Sequence, residues 1–155
     1  MSTSRTLVVG YDGSPDAEAA VRWTFHLANE TNANVTVVHA AGILEHLSTH
    51  FASDEIPLAL VDIATQCDFD MARLRWLVED GDACSVLLRT TAPPINADLL
   101  VVGSRGHGKR AGLLLGSTSL EIVEHSSTPV VVVPSMLSAL LEKKPGIPSA
   151  QRRRK

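Results

Sequence analysis

Two glycine-rich groups of residues have types and spacings that suit the binding of an anion, and an acidic turn after another strand could share their crevice. Asp12-Gly13-Ser14 follows the apolar run Thr6 to Tyr11, and Gly103-Ser104-Arg105-Gly106-His107 follows Asp98-Leu-Leu-Val-Val. Gly116-Ser117-Thr118 follows Gly106 after nine intervening residues and opens an amphipathic run. A helix start presents unpaired backbone N–H groups and the positive end of a dipole, so glycines and hydroxyls placed there suit a phosphate. Glycines allow close approach, hydroxyls donate, and Arg105 adds charge. Phosphate binding is the first chemical expectation.

Two familiar phosphate motifs overlap the same glycines, and each fails at one position. Gly103, four residues, then Gly108-Lys109 is near a P-loop, but Arg110 stands where a Ser or Thr should reach Mg²⁺. Gly106, Gly108 and Ala111 match a dinucleotide fingerprint, yet the next strand, Val130 to Pro134, ends without the acid that holds a ribose. The bland alternatives remain: a tight turn at Gly103 and Gly106, a self-capping turn at Asp12, and a plain helix cap at Ser117 and Thr118. His39, His46 and His50 lie close in sequence, but no acidic or cysteine partner completes a metal spacing, so no metal site is expected. His39 falls in a buried strand and reads as a satisfied core residue.

The elements that must position these groups alternate strand with helix. Thr6 to Tyr11, Val35 to Ala41 and Leu99 to Val102 are short β-rich runs without polar alternation, as in parallel strands covered on both faces, and Val130 to Val133 is another short run that Pro129 and Pro134 bracket, which is tolerable mainly at a sheet edge. Arg73 to Val78 alternates polar with apolar and reads as a strand with one face less covered, at a sheet edge. Ser14, Pro15, Asp16 and Glu18 form a helix start, and Ala17, Ala20, Val21, Thr24, Phe25 and Ala28 recur on one face up to a stop at Asn32. Further helices are expected over Ile56 to Asp68 and from Asp82 to about Thr90, the latter ended by Ala92-Pro93-Pro94. A fourth is marked by Leu113, Leu114, Leu120 and Val123. Glu79 to Asp82 should turn the chain. Five strands alternating with four helices predict an α/β fold, a single doubly wound open sheet with helices on both faces. Ligands in such sheets sit beyond the carboxyl ends of the strands, where Asp12 and the glycine loop both fall.

Taken together, Val-Val-Gly-Tyr-Asp-Gly-Ser, the pattern Gly103-x-x-Gly106, nine residues, Gly116-Ser117, and the closing valine strand resemble the ATP-binding branch of the universal stress protein family. The resemblance covers residues 5 to 134. It implies five parallel strands in the order 3-2-1-4-5, with strands one and four adjacent, and bound ATP, with Mg²⁺ as an option. It further implies that Asp12 holds the ribose or adenine side, with Gly10, Tyr11 and Gly13 beside it, and that Ala40 lines the adenine pocket. Gly103, Ser104, Arg105, Gly106 and His107 would wrap the phosphates, while Gly116, Ser117 and Thr118 would bind them at the helix start. A homodimer paired through the fifth strand is implied as well. The chain departs from the family at Gly81-Asp82-Ala83 and at Ala92-Pro93-Pro94, both away from the crevice.

Bulk properties agree with one soluble domain. The chain has 155 residues, 45% of them hydrophobic, and no apolar run of membrane-spanning length. The N-terminus lacks the apolar centre of a signal peptide, so a cytoplasmic protein is expected. Cys67 and Cys84 read as packing residues. Residues 1–134 carry 8 Lys plus Arg against 16 Asp plus Glu, whereas residues 135–155 carry 6 against 1. An acidic body argues against nucleic-acid binding by the domain. The domain boundary is expected at residue 134, with 135–155 read as an extension expected to form a short helix and then a basic disordered tail.

No recognisable catalytic set accompanies the loop: there is no nucleophile elbow and no paired carboxylates at a motif spacing. The expected function is an ATP-binding regulatory protein of the stress response, whose bound nucleotide biases dimer or partner association, with at most weak hydrolysis. The alternatives are an ATP-dependent enzyme on the same sheet (a slow ATPase or a nucleotidyl or phosphotransferase) and a nucleotide-free dimeric scaffold.

Overall fold

A computed structural model describes residues 3–42, 55–105 and 115–134. Its elements follow the expected alternation: β1 (Thr6–Gly10), α1 (Pro15–Thr31), β2 (Asn34–Ala41), α2 (Leu58–Gln66), a short 3₁₀ turn (Met71–Arg73), β3 (Leu74–Asp80), α3 (Ala83–Thr91), β4 (Leu99–Gly103), α4 (Ser117–His125) and β5 (Val130–Val133). The five strands are all parallel in the order β3-β2-β1-β4-β5. β1 is therefore central: Val8 sits beside Thr36 of β2 and beside Leu100 of β4.

The apolar strand runs are explained by cover on both faces. Leu7 and Val9 of β1 belong to a core shared with α1 and α2, whereas Val8 belongs to a second core with Val86 and Leu87 of α3 and Ile122 of α4. Alternate residues of one strand thus enter different cores, and both sets are mostly apolar. The two edge positions of the sheet are β3 and β5, the strands singled out as edges by polar alternation and by flanking prolines.

α1 begins where the sequence indicates. The Ser14 hydroxyl accepts the Ala17 N–H at 3.2 Å, Pro15 takes the first turn, and Asn32 closes the helix in the left-handed region at φ 52°. Its expected apolar face is buried throughout, and Phe25 stacks on Phe69 with ring centroids 4.3 Å apart. The last carbonyls of α1 receive a cation from elsewhere in the chain. Arg73 donates to the Ala28 and Ala33 carbonyls at 3.1 and 3.0 Å and to the Asn29 side chain at 2.8 Å, and it lies over the Phe69 ring.

That contact corrects the start of β3. Arg73 belongs to the 3₁₀ turn, which Asp70 caps by accepting the Ala72 N–H, and the strand begins at Leu74. At its other end β3 continues through Glu79 and Asp80, which pair beside Ala40 and Ala41, so the chain turns only at Gly81. α2 is shorter than expected, starting after Pro57 and ending before Asp68, which takes a left-handed φ of 52°.

The apolar face expected for α4 also needs correction. Leu120 and Val123 are 49% and 50% exposed, while Ile122 and Ser119 are buried. α4 packs mainly on α3 and the sheet through these two residues, and the leucine spacing described the outer face. Leu113 and Leu114, the histidines at 46 and 50, and residues 135–155 lie outside the described residues.

Truncation should separate the two faces of α4. Ile122→Ala is expected to cost about 2–5 kcal/mol in urea unfolding, and Leu120→Ala less than about 1 kcal/mol. Equal losses would mean that the helix presents a different face to the core.

Candidate functional site

Because β1 and β4 are neighbours, the loops after them open side by side. Between them lies a cleft of about 250 Å³ at the carboxyl ends of the strands. Its apolar side is made by Val38 and Ala40 of β2 and by Ala83 and Leu87 of α3, so the departure at Gly81-Asp82-Ala83, expected away from the crevice, reaches it through Ala83; its polar side is made by Asp12, Arg105 and the first turn of α4.

The β1 side is shaped by a tight turn. Gly13 takes φ 79°, a left-handed conformation that suits glycine, and the Asp12 carboxylate accepts the Ser14 N–H at 2.9 Å. Asp12 is thereby held at the mouth of the cleft. Tyr11 is anchored at both ends of its backbone: its N–H donates to the Val38 carbonyl at 2.8 Å, and its carbonyl lies 2.8 Å from Nδ1 of His39. His39 is buried and paired, as expected of a core histidine. The Tyr11 ring packs edge-on against Trp76, and burial pushes its hydroxyl pKa above the ordinary value of 10.0, with Glu18 and Asp12 adding to the rise. At neutral pH Tyr11 is a neutral hydroxyl.

The β4 side is held by hydrogen bonds that run from strand to helix. The Ser104 N–H donates to the Val133 carbonyl at 2.9 Å, and the Ser104 carbonyl accepts the Gly116 N–H at 2.6 Å. The Ser119 hydroxyl donates to the Gly103 carbonyl at 2.7 Å. α4 is thus tied by its first turn to the end of β4. Its N-cap is Gly116, and among the described residues no side chain hydrogen-bonds the cap, so the positive end of the helix opens on the cleft.

Close packing dictates residue 103. A Cβ there would lie 2.8 Å from the carbonyl carbon and oxygen of Asp16, so α1 passes over the end of β4 only with glycine at this position. Gly10 is similarly tight, with a hypothetical Cβ 3.0 Å from Leu87.

The universal stress protein family pattern matches residues 3–134. The chain belongs to the universal stress protein family. A universal stress protein of Mycobacterium tuberculosis is 30% identical over 159 residues, covering 85% of this chain and 48% of the relative. The chain therefore spans about half the length of that curated relative. Among solved structures, a universal stress protein in complex with cAMP is 27% identical, with a TM-score of 0.66 and coverage of 86% of this chain and 99% of that one. One from Archaeoglobus fulgidus in complex with dAMP is 19% identical at a TM-score of 0.57, again over 86% and 99%, and shows the shared fold.

Within this universal stress protein fold, most of the residues singled out by sequence come together. Gly10, Tyr11, Asp12, Ala40, Gly103, Arg105, Gly116, Ser117 and Thr118 all line the cleft. Gly13 and Ser104 stand behind it, the first as a turn and the second with its hydroxyl directed at Asp16 at 3.0 Å. Gly106 and His107 lie outside the described residues, because the chain leaves the described region after Arg105 and returns at Leu115. Sequence reasoning missed Ser14, Val38, Leu87 and Ser119 as lining residues. Leu87 was legible only as a sheet-facing residue, and Ser14 only as a helix cap.

Among the described residues, no group of three or more His, Cys, Asp or Glu side chains could hold a metal ion, and no helix is long and apolar enough to cross a membrane. Cys67 and Cys84 are buried free thiols whose pKa values are raised chiefly by burial, which matches packing roles.

Two outcomes follow for the cleft. Gly103→Ala should destabilise the fold by about 1–3 kcal/mol in urea unfolding, because backbone rather than a flexible side chain must yield. The raised pKa of Tyr11 favours the folded state while the hydroxyl is protonated. That contribution is complete below the unfolded value near 10 and is lost as pH rises through the higher folded value. Stability of the wild type measured against pH should fall more steeply above pH 10 than that of Tyr11→Phe; parallel curves would contradict the assignment.

Proposed function

We propose that this chain is an ATP-binding regulatory protein of the cytoplasmic stress response, in which bound nucleotide biases association with a second copy or another partner. The observation that carries the reading is the convergence on one cleft of an apolar slot, a carboxylate and an uncapped helix start. Val38, Ala40 and Leu87 offer flat apolar contact suited to a purine, with Gly10 leaving room beside it. Asp12 stands where a sugar hydroxyl would donate. Gly116, Ser117 and Thr118 present backbone N–H groups and hydroxyls to phosphate, and Arg105 contributes positive charge. The cAMP complex of the relative at 27% identity supports an adenine nucleotide as the ligand class.

The same residues favour holding over turnover. Asp12 already accepts the Ser14 N–H, which orients it along its own turn, and the other polar groups lining the cleft, Arg105, Ser117 and Thr118, are ones that can donate to phosphate oxygens. Binding phosphate with fixed dipoles stabilises the bound nucleotide and needs no proton transfer. Association through β5 is part of the proposal, since among the described residues it is an edge strand with partly exposed valines, the kind of edge a second copy can cover.

Calorimetric titration with ATP is expected to show saturable binding at one site per chain, and Ala40→Leu, which fills the apolar slot, should weaken it by at least about tenfold, or about 1.4 kcal/mol. Product formation with ATP and Mg²⁺ should stay far below roughly one per second. Unchanged affinity in Ala40→Leu would contradict the site, and turnover at ordinary enzyme rates would favour the catalytic alternative.

A further inference from the structure

Asp16 does not line the cleft, yet it is buried at 8% exposure and its carboxylate engages the start of the β4 loop through one oxygen. One oxygen, Oδ2, accepts both the Ser104 hydroxyl at 3.0 Å and the Arg105 backbone N–H at 2.9 Å. Sequence reading credits Asp16 only with favouring the positive end of α1. Its partners are 88 and 89 residues away.

We infer that Asp16 is a positioning residue for phosphate binding, a latch that fixes both halves of the split anion site through Ser104 and Arg105. The inference rests on the nucleotide reading above. The geometry is a relay: Asp16 holds Ser104, and the Ser104 carbonyl accepts the N–H of Gly116, the N-cap of α4. Arg105, which does line the cleft, has its backbone direction set by the same carboxylate oxygen. Gly103 permits the arrangement by letting the Asp16 backbone approach the end of β4.

A carboxylate is at first sight a poor neighbour for a phosphate. Two features make it tolerable here. The charge sits in the first turn of α1, where the helix dipole favours an anion, and the Ser104 hydroxyl it engages is buried while the Arg105 N–H is part-buried. Hydrogen bonds to an ionised acceptor are about twice as strong as neutral ones, so a carboxylate holds the loop more firmly than a hydroxyl or a carbonyl would. The latch stabilises the geometry of the donors, and the donors meet the ligand.

The latch predicts a selective defect. Phosphate contacts should weaken when it is lost, and contacts to the nucleoside should not. The affinities of the full chain for ATP and for adenosine, measured by competition against a fluorescent ATP analogue, give that ratio directly, with circular dichroism to confirm folding. Asp16→Ala should lower the ratio of ATP to adenosine affinity by about tenfold or more while leaving adenosine binding within about threefold of the wild type. Asp16→Asn keeps an acceptor oxygen in place and should restore most of the ratio. Ser104→Ala, a milder change that keeps the fold if Asp16→Ala does not, should give an intermediate loss.

Amide hydrogen exchange provides a second readout that does not depend on ligand. The Arg105 amide should exchange at least about tenfold faster in Asp16→Ala, or about twice faster or more in Ser104→Ala, than in the wild type. An unchanged ratio, an equal loss of ATP and adenosine affinity, or unchanged Arg105 exchange would each overturn the latch. Failure of the wild type to bind ATP at all would instead overturn the nucleotide reading, and Arg105 exchange would still decide whether the latch exists.

Discussion

The contact between the first turn of α1 and the end of β4 is the constraint on which the site depends. β1 and β4 are neighbours in the sheet, so the helix that follows β1 must cross close to the strand beside it. With glycine at 103 the crossing brings Asp16 against the backbone, and with any side chain there the two would collide at 2.8 Å. The close crossing puts a buried carboxylate within reach of Ser104 and Arg105, and Ser104 in turn reaches Gly116. A cleft between the two loops follows from strand order, but its fixed polar wall follows from this contact.

The apolar wall has a different origin. β2 and α3 supply Val38, Ala40 and Leu87 because each strand residue alternates between two cores, and the cleft opens where the second core runs out beyond the strand ends. An apolar slot beside an uncapped helix start is therefore a by-product of a doubly wound sheet. The side chains placed at its mouth decide what it holds.

Much of this was legible in the chain. β1, β2, β4 and β5 announce themselves as short β-branched runs, and α1 as a capped amphipathic helix, because those signals are local. The glycine spacing and Asp12 pointed to the cleft for the same reason. The rest depends on residues distant in sequence. Arg73 reads as the first residue of an alternating strand, yet its guanidinium closes the end of α1, some 40 residues away, and the strand begins only at Leu74. On α4 the leucine spacing suggested a face that turned out half exposed, since burial there is decided by α3, which packs against Ile122 and not Leu120. Asp16 is the clearest case: its local role as a helix-start acid is real, and nothing near it in sequence hints at Ser104.

Mapping by nuclear magnetic resonance tests the central claim most directly, because it reads where a nucleotide sits as well as whether it binds. Adding ATP to isotopically labelled protein should shift the backbone amides of Gly10, Tyr11, Asp12, Gly103, Arg105, Ser117 and Thr118 as one saturable group, and leave those at the opposite ends of the strands, such as Thr6, Asn34 and Leu74, in place. Absence of shifts at saturating ATP, or shifts gathered at those opposite ends, would contradict the account.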